Sequence, residues 1–186
     1  GLCYSFTTPA EFPGFLVPSV YPTIQAAIDD ASDGDTIWVA DGTYTGEGNF
    51  DIDFEGKAIT VRSENGPEKC IIDFQRERRG FNFHSGEDDN SVLDGFTITK
   101  GFAGESGGGG IRCTASSPTI SNCIIVGNSA KDYGGGMCNS YGSHPTLINC
   151  TFSQNSAEST VPMLGNGGGM CNLVNSNPKL INCTFA

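Results

Sequence analysis

Charged residues are scarce in this 186-residue sequence, at 17 %, and only 10 of them are basic against 21 acidic. The net charge of −11 argues against a nucleic-acid partner, because surfaces that bind phosphate backbones are basic. The low charge content also argues against disorder driven by charge repulsion. No run of about 18 apolar residues occurs, so the sequence predicts no membrane span. These absences leave a folded domain with a partner other than nucleic acid.

Glycine is abundant instead, with 26 residues, which is about twice the usual share. Because glycine costs about 1 kcal/mol per helical position relative to alanine, this composition argues against a helical bundle. Of the 21 acidic residues, 19 lie at or before Glu105, whereas glycine clusters at 107–110, 134–136 and 167–169. No linker-like stretch separates the two halves. We therefore predict a single domain at 21–186, preceded by an N-terminal arm at 1–20.

The second half, at 106–186, contains an internal repeat with copies at 108–130, 134–157 and 167–186. Each copy has three glycines, an apolar residue, a short polar stretch, a proline, and two strand-like runs that flank Asn-Cys. The prolines at 118, 145 and 178 are 27 and 33 residues apart, and an insertion near 158–166 accounts for the longer spacing. Repeats of this length with short alternating strands predict an all-β fold, a parallel β-helix or β-solenoid.

Equivalent residues of the repeats are expected to stack along the solenoid axis. Asparagine tolerates the left-handed backbone of a tight corner, and its amide can bond to the same residue of the next coil. The predicted ladder consists of Asn122, Asn149 and Asn182, with Asn128 and Asn155 at a second turn. The cysteines that follow the first corner are predicted to point inward as buried thiols. This row consists of Cys123, Cys150 and Cys183.

The first half predicts the start of the same solenoid, with irregular coils at 36–105. Apolar residues at 24, 27, 28 and 31 define one face of a short helix at about 23–32, with Thr23 as its N-cap. Strand-like runs follow at 36–40, 58–62, 70–74, 80–84 and 91–99. A helix at this position would cover the apolar end of the first coil, as a terminal repeat requires.

Residues 21–44, YPTIQAAIDDASDGDTIWVADGTY, resemble the N-terminal cap and first coil of right-handed parallel β-helix proteins of the pectin-lyase-like superfamily. The glycine-rich repeats are similar to those of secreted bacterial β-helix proteins. They are also similar to repeats of polymorphic outer-membrane proteins, whose Phe-x-x-Asn element matches residues 152–155. The resemblance implies a right-handed β-helix over nearly the whole chain. It says little about function, because this scaffold carries lyases, hydrolases, adhesins and structural fibres.

Three functions follow from these features. Low charge and the lack of a stacked catalytic set favour a structural β-solenoid without enzymatic activity, such as a fibre or filament subunit or an adhesin. The alternative is a polysaccharide lyase or hydrolase acting on acidic glycans, since such chemistry needs clustered charged side chains. Its candidate residues are Arg76, Arg78, Arg79, His84, Asp88 and Asp89. The third interpretation is a carbohydrate-binding module that uses Tyr133, Tyr141 and the loop at 160–166 to contact surface glycans.

The eight cysteines suit an oxidising environment, so we expect a secreted, extracellular or cell-surface protein. A chain that begins Gly-Leu-Cys is typical of a processed secreted protein and equally of a fragment. Cys138 and Cys171 are predicted to point outward on neighbouring coils, within disulfide range, and Cys3 could pair with Cys70. Buried thiols remain the alternative. We expect no cofactor and no metal ion, because neither a calcium loop nor a Cys-x-x-Cys pair occurs.

The sequence also contains two candidate N-glycosylation sites, Asn149-Cys-Thr and Asn182-Cys-Thr. The repeated corner explains both asparagines equally well.

The last expectation concerns assembly. An uncovered final coil would present unpaired strand edges, and further coils of a longer chain or another subunit would have to cover it. The arm carries apolar residues with no evident place in the first coil, so we predict that it docks on the final coil of another copy. The predicted contact residues are Phe6, Phe12, Phe15, Leu16 and Val17 on the arm, and Phe185 on the final coil. Such a head-to-tail contact builds an open filament.

Overall fold

The computed structural model describes residues 14–104, 107–158 and 167–186. The described chain forms a parallel β-solenoid in which every strand pairing is parallel. The all-β parallel β-helix predicted from the repeats is confirmed. Cys3, Phe6, Phe12 and the loop at 160–166 lie outside the described residues.

Four sheets run along the solenoid, and each coil contributes one strand to each sheet it reaches. Sheet A has seven strands: β1 (Leu16–Val17), β2 (Thr36–Val39), β4 (Thr60–Ser63), β7 (Val92–Asp94), β11 (Thr119–Ser121), β15 (Thr146–Ile148) and β19 (Lys179–Ile181). Sheet B has six strands: β3 (Gly42–Tyr44), β5 (Cys70–Asp73), β8 (Thr97–Thr99), β12 (Ile124–Val126), β16 (Thr151–Ser153) and β20 (Thr184–Phe185).

The other two sheets are shorter. Sheet C has four strands: β6 (Phe81–Phe83), β10 (Ile111–Thr114), β14 (Met137–Ser140) and β18 (Met170–Asn172). Sheet D has three strands: β9 (Phe102–Ala103), β13 (Ser129–Ala130) and β17 (Ser156–Ala157). Sheet D is built by the glycine-rich repeats and the coil before them.

The core is one continuous column, because alternate residues of each strand point inward and stack on their equivalents. In sheet A, Ile120 lies opposite Leu147, which lies opposite Leu180. The first half fills the same column with phenylalanine, and Phe54 packs edge-on against Phe83 at 4.9 Å between ring centroids. The repeats replace most of these rings with aliphatic side chains and cysteine.

The N-terminal end is closed by a helix and a strand. Helix α1 (Ile24–Asp30) begins after Thr23, whose hydroxyl accepts a hydrogen bond from the Ala26 N–H at 3.2 Å, as expected of an N-cap. The helix is two residues shorter at its C-terminal end than the 23–32 predicted. Its buried residues, Ile24, Ala27 and Ile28, cover the first coil.

The predicted arm is part of this closure. Leu16 and Val17 form β1, which pairs with β2 and extends sheet A by one strand. Val17 is 1 % exposed, and the Phe15 ring stacks on Tyr21 at 5.5 Å. The expectation that Phe15, Leu16 and Val17 have no place in the first coil is therefore wrong, because these residues contact their own chain. Their docking on another subunit stays a prediction. The solenoid also begins before residue 21, the predicted domain boundary.

Several strand assignments need correction, and the two-residue strands of sheet D were not predicted. The run predicted at 91–99 is two strands, β7 and β8, because the chain turns at Gly95, which has φ +85°. Strand β3 was not predicted, since Gly42-Thr-Tyr is too short to show an alternating pattern.

Candidate functional site

The corner between sheets A and B carries a row of exposed asparagines that bond to one another along the axis. The Nδ2 of Asn149 donates to Oδ1 of Asn122 at 3.1 Å, and the Nδ2 of Asn182 donates to Oδ1 of Asn149 at 2.8 Å. All three have left-handed backbones, with φ of 51°, 54° and 52°. The stacked corner predicted from the repeats is present in the structure.

This row begins at a carboxylate that the sequence did not single out as part of the ladder. Asn122 Nδ2 donates to Asp94 Oδ1 at 2.6 Å, and the other carboxylate oxygen of Asp94 accepts from Arg62 Nη2 at 2.8 Å. The Arg62 guanidinium in turn lies 5.0 Å from the ring centroid of Trp38. In each asparagine of the row, the side-chain NH2 group therefore points toward the N-terminal end of the solenoid and the side-chain oxygen toward the C-terminal end. Asp94 belongs to a coil that departs from the repeat, so the sequence does not mark it. The β7–β11 register places it one coil before Ser121 and Asn122.

A second polar row is mostly buried, with Asn128 fully buried and Asn155 half-buried. Asn128 Oδ1 accepts from the Gly101 N–H at 2.8 Å, and its Nδ2 donates to Ile98 O at 2.9 Å. Asn155 repeats the arrangement one coil later, and its Oδ1 accepts from the Asn128 backbone N–H at 3.0 Å. Because buried amides cost free energy when unpaired, these side chains replace backbone partners missing at the turn.

A row of serines fulfils the same role near sheet C. The Ser116 backbone N–H donates to Ser143 Oγ at 3.3 Å, and the Ser143 N–H donates to Ser176 Oγ at 3.2 Å. In this row and in the buried asparagine row, a backbone N–H of one coil bonds to a side-chain oxygen of the next.

The inward cysteines form a row of thiols. Cys150 Sγ donates to Ile148 O at 3.4 Å, and Cys123 and Cys183 make the same contact two residues back. Burial raises the pKa of the Cys150 thiol to about 11 and raises that of Cys123 further. Cys123 and Cys150 are therefore unreactive packing groups at neutral pH, since the thiolate is the reactive form.

The arginines proposed for catalysis are bound in separate local contacts. Arg79 donates from Nε to Gly108 O at 3.0 Å and from Nη2 to Gly107 O at 3.1 Å, and burial lowers the pKa of its guanidinium. Arg78 lies 3.9 Å from an oxygen of Asp51. Arg76 is exposed in a turn with φ +63°.

The acidic candidates, Asp88 and Asp89, stabilise the turn before β7. Asp88 Oδ1 accepts from the Asn90 N–H at 2.9 Å, and the Asp89 carbonyl accepts from the Thr119 hydroxyl at 3.0 Å. The predicted catalytic residues are thus distributed over three turns, each with its own contacts.

A histidine–carboxylate pair lies at the end of β6. His84 Nε2 is 3.1 Å from Asp53 Oδ2, and His84 Nδ1 is 3.4 Å from Ser85 Oγ. The pKa of the Asp53 carboxyl is raised overall, because the effect of partial burial exceeds the lowering effect of the adjacent His84. The buried Glu87 accepts from the Ser85 and Gly56 backbone amides at 2.9 and 3.0 Å and holds the turn in place. The sequence indicates His84 as a candidate but gives no signal that links it to Asp53.

The predicted Cys138–Cys171 disulfide is not formed. Cys138 and Cys171 lie directly opposite on β14 and β18, but Cys138 is a free thiol with 1 % exposure. Side chains in register on parallel strands project side by side, which does not direct their Cβ atoms toward each other as a disulfide requires. Cys70 is also a buried free thiol, and its predicted partner Cys3 lies outside the described residues.

The candidate glycosylation sites and the carbohydrate-binding residues stay predictions. The Nδ2 atoms of Asn149 and Asn182, which would carry a glycan, are donors in the exposed ladder. Tyr141 is 64 % exposed after β14, whereas the Tyr133 carbonyl accepts from the Gly108 N–H at 3.0 Å at another turn. Trp38 is covered by Arg62.

No group of histidine, cysteine and acidic side chains within 14–104, 107–158 and 167–186 could hold a metal ion. None of the helices in this described part is long and apolar enough to span a membrane.

The C-terminal face of the solenoid differs from the N-terminal face. Sheets A, B and C end there at β19, β20 and β18. Leu180, Ile181 and Phe185 are 46 %, 40 % and 47 % exposed. The Phe185 ring is stacked on Phe152 at 4.7 Å between centroids, which leaves one ring face open.

A family model described as "Right handed beta helix region" matches residues 32–186. The chain belongs to the right-handed β-helix family. A search of curated proteins and a search of solved structures found no match. The family assignment confirms the fold and its handedness, and the resemblance to polymorphic outer-membrane proteins stays a prediction.

Proposed function

We propose that this β-helix is a structural module of the cell exterior, a rigid part of a fibre, filament or adhesin, and that it has no enzymatic activity. The observation that carries the proposal is the use of its polar side chains. From Asp94 through Asn122 and Asn149 to Asn182, each side chain bonds to its equivalent on a neighbouring coil. Side chains that are hydrogen-bonded to one another along the axis stiffen the solenoid, and these hydrogen bonds would have to break before the same groups could bind a substrate.

The extracellular location is the expectation of the sequence analysis, and the thiols are compatible with it. The buried cysteines of the inward row have raised pKa values, so they would remain reduced and unreactive where disulfides normally form.

Assembly through the C-terminal face is part of the proposal. The N-terminal end is covered by α1 and β1, while the opposite face presents strand edges and exposed apolar side chains, including Leu180 and Phe185. Unpaired edges of this kind are templates for further strands. We propose that copies of the chain associate through this face. Leu16 and Val17 pair with β2 of their own chain, so this association does not depend on them.

Sedimentation velocity over a wide concentration range, with negative-stain electron microscopy, tests this assembly. We expect concentration-dependent association that is abolished by Phe185→Lys and kept by Val174→Lys, a control at a 57 % exposed turn position. A wild-type chain that stays monomeric at the highest concentrations would overturn the assembly proposal.

A polysaccharide-degrading activity is the second candidate, and the Asp53–His84–Ser85 contacts favour it. The chain has two histidines, so His144→Ala is a matched control for His84→Ala. We expect no turnover of pectin, alginate or glycosaminoglycans by any of the three proteins. Turnover by the wild type and by His144→Ala that is lost in His84→Ala would replace the structural proposal with the enzymatic one.

A further inference from the structure

The outer face of sheet C carries a row of polar side chains that the chain itself partly covers. Asn82, Arg112 and Cys138 lie opposite one another on β6, β10 and β14, at positions that alternate with the inward residues of these strands. A Cβ atom at Gly108 would lie 3.0 Å from the Cβ atom of Arg112, so glycine lets the chain cross directly over this face. Polar groups that point outward are therefore shielded from water here.

Arg112 is the cation of this row, and the described residues give it no partner. None of the ion pairs in that part of the chain includes Arg112, and its Nε atom is buried without a hydrogen-bond acceptor. The side-chain oxygen of Asn82, its neighbour in register, is also buried and has no donor. Each of these atoms costs free energy while it stays unpaired. An unpaired donor beside an unpaired acceptor indicates a place for a ligand that bonds to both.

A second guanidinium lies close to the first. Arg79 donates from Nε to Gly108 O at 3.0 Å and from Nη2 to Gly107 O at 3.1 Å, which holds it beside the same face. Burial lowers the pKa of Arg79, and repulsion from Arg112 lowers it further. Burial raises the pKa of the Cys138 thiol to about 11, and the charges of both arginines act against this rise. Both guanidiniums therefore border one place, and two like charges there favour an anion as the ligand.

The net charge of −11 does not prevent an anion from binding to this face, because the negative charge lies elsewhere. Residues 107–186 carry three basic and two acidic residues, whereas residues 1–106 carry 7 basic and 19 acidic ones. Asp51 offsets part of the repulsion at Arg79, but it also lies 3.9 Å from Arg78. The glycine-rich half is thus nearly neutral apart from its unpaired arginine.

The unpaired acceptor distinguishes between classes of anion. Sulfate and carboxylate ions only accept hydrogen bonds near neutral pH, so they would leave the Asn82 oxygen unpaired. A phosphate group has its second pKa near 6 and carries a P–OH group at about that pH. Its oxygens accept from Arg112, and its P–OH donates to Asn82. A water molecule could make the same two hydrogen bonds, but it would not neutralise the two guanidiniums.

We infer that Arg112, Asn82 and Arg79 form a binding site for one phosphate group on the outer face of sheet C. Arg112 supplies the donor and a positive charge, Asn82 accepts the proton of the phosphate group, and Arg79 supplies the second charge. The site lies on another sheet than the exposed asparagine ladder, and it does not depend on how copies of the chain associate. It adds a ligand to the structural role proposed above.

Isothermal titration calorimetry with inorganic phosphate at about pH 6 tests this site, since the P–OH group is present there. We expect saturable binding with a Kd of about 1 mM, and binding of sulfate at equal ionic strength that is weaker by about tenfold or more. Methyl phosphate distinguishes a free ion from the phosphate end of a larger ligand. Arg112→Gln is expected to abolish binding. Its matched control is Lys179→Gln, which removes one positive charge from an exposed position on sheet A.

Asn82→Asp tests the site in a variant that should fold well. Its carboxylate lies next to Arg112 in register and supplies the missing anion from the chain itself. We expect a higher urea midpoint than in the wild type, together with phosphate binding that is weaker by about tenfold or more. A variant that is merely misfolded would show a lower midpoint, so the two measurements separate lost folding from lost binding.

Several results would overturn the inference. A wild-type chain that binds no phosphate has no such site, and equal affinities for sulfate and phosphate would contradict the role of Asn82. Equal binding by Arg112→Gln and Lys179→Gln would mean that the ion binds without Arg112. Glu105, which lies outside the described residues, is the nearby carboxylate in the sequence. Binding that appears only in Glu105→Gln would mean that the chain's own carboxylate takes the place assigned to phosphate.

Discussion

Asn122 donates a hydrogen bond of 2.6 Å from its side-chain amide to the carboxylate of Asp94, one coil earlier. This contact gives the exposed asparagine row its direction, because a carboxylate can only accept. Once Asn122 is oriented, its side-chain carbonyl accepts from the amide of Asn149. This contact fixes the orientation of the Asn149 side chain, which fixes that of Asn182 in the same way. A row polarised in this way is expected to be more stable than its separate contacts.

The first prediction concerns this anchor. Asp94→Ala removes the acceptor for Asn122 and leaves the Arg62 guanidinium without its carboxylate, so we expect a loss of about 1–3 kcal/mol in the free energy of unfolding. Urea unfolding followed by circular dichroism measures it. Asp89→Ala is the control, since only its backbone carbonyl makes a contact. Equal losses in the two variants would show that Asp94 does not anchor the row.

The second prediction separates backbone strain from hydrogen bonding at the corner. Asn149 has φ +54°, which glycine adopts freely and valine does not. We expect Asn149→Val to cost about 1–3 kcal/mol from strain in addition to the lost amide contacts. Asn149→Gly loses the same contacts without the strain and is expected to cost less. Thermal melts of Asn149→Val that match the parent would contradict the corner assignment.

The repeated features of this molecule could be predicted because the same residues occur at equivalent positions in three copies of the repeat. Asn122, Asn149 and Asn182 share one position in the repeat, and so do the inward cysteines, so spacing alone places each set in a row. Parallel pairing then follows from the short coil length, which leaves no room for a reversal.

Features that occur once could not be predicted in the same way. Asp94 belongs to a coil whose sequence departs from the repeat, so only the register of β7 against β11 identifies it as the anchor. Phe15, Leu16 and Val17 looked surplus because two residues are too few to reveal a strand, yet they complete sheet A. The Asp53–His84 pair joins neighbouring coils whose lengths the sequence does not determine.

The third prediction concerns the glycine-rich corner. A Cβ atom at Gly135 would lie 2.0 Å from the backbone oxygen of Ser156, and backbone cannot move aside without breaking the coil. We expect Gly135→Ala to cost about 3 kcal/mol or more, or to prevent folding. Gly104→Ala is the control, because a Cβ there meets no atom within 4 Å. Similar urea midpoints for the two variants would mean that close packing is not the reason for the triple glycines.

The last prediction concerns pH. Burial raises the pKa of the Cys150 thiol to about 11 in the folded chain, above its unfolded value of about 8.5. The folded state therefore keeps a proton that the unfolded state releases, so the stabilising effect is complete below about pH 8.5 and is lost as the pH rises toward the folded value. Between pH 8 and pH 10 this group should lower the free energy of unfolding by about 2 kcal/mol.

Urea unfolding of the wild type and of Cys150→Ala at pH 7.5, 8.5, 9.5 and about 10 measures this contribution. The variant is less stable at neutral pH because it leaves a small cavity, but its stability should decline less steeply over the alkaline range. The matched control is Cys171→Ala, since Cys171 is less buried than Cys150. Parallel pH profiles for the wild type and Cys150→Ala would mean that the Cys150 thiol titrates alike in both states, and the inward thiol row would then lack the buried environment assigned to it.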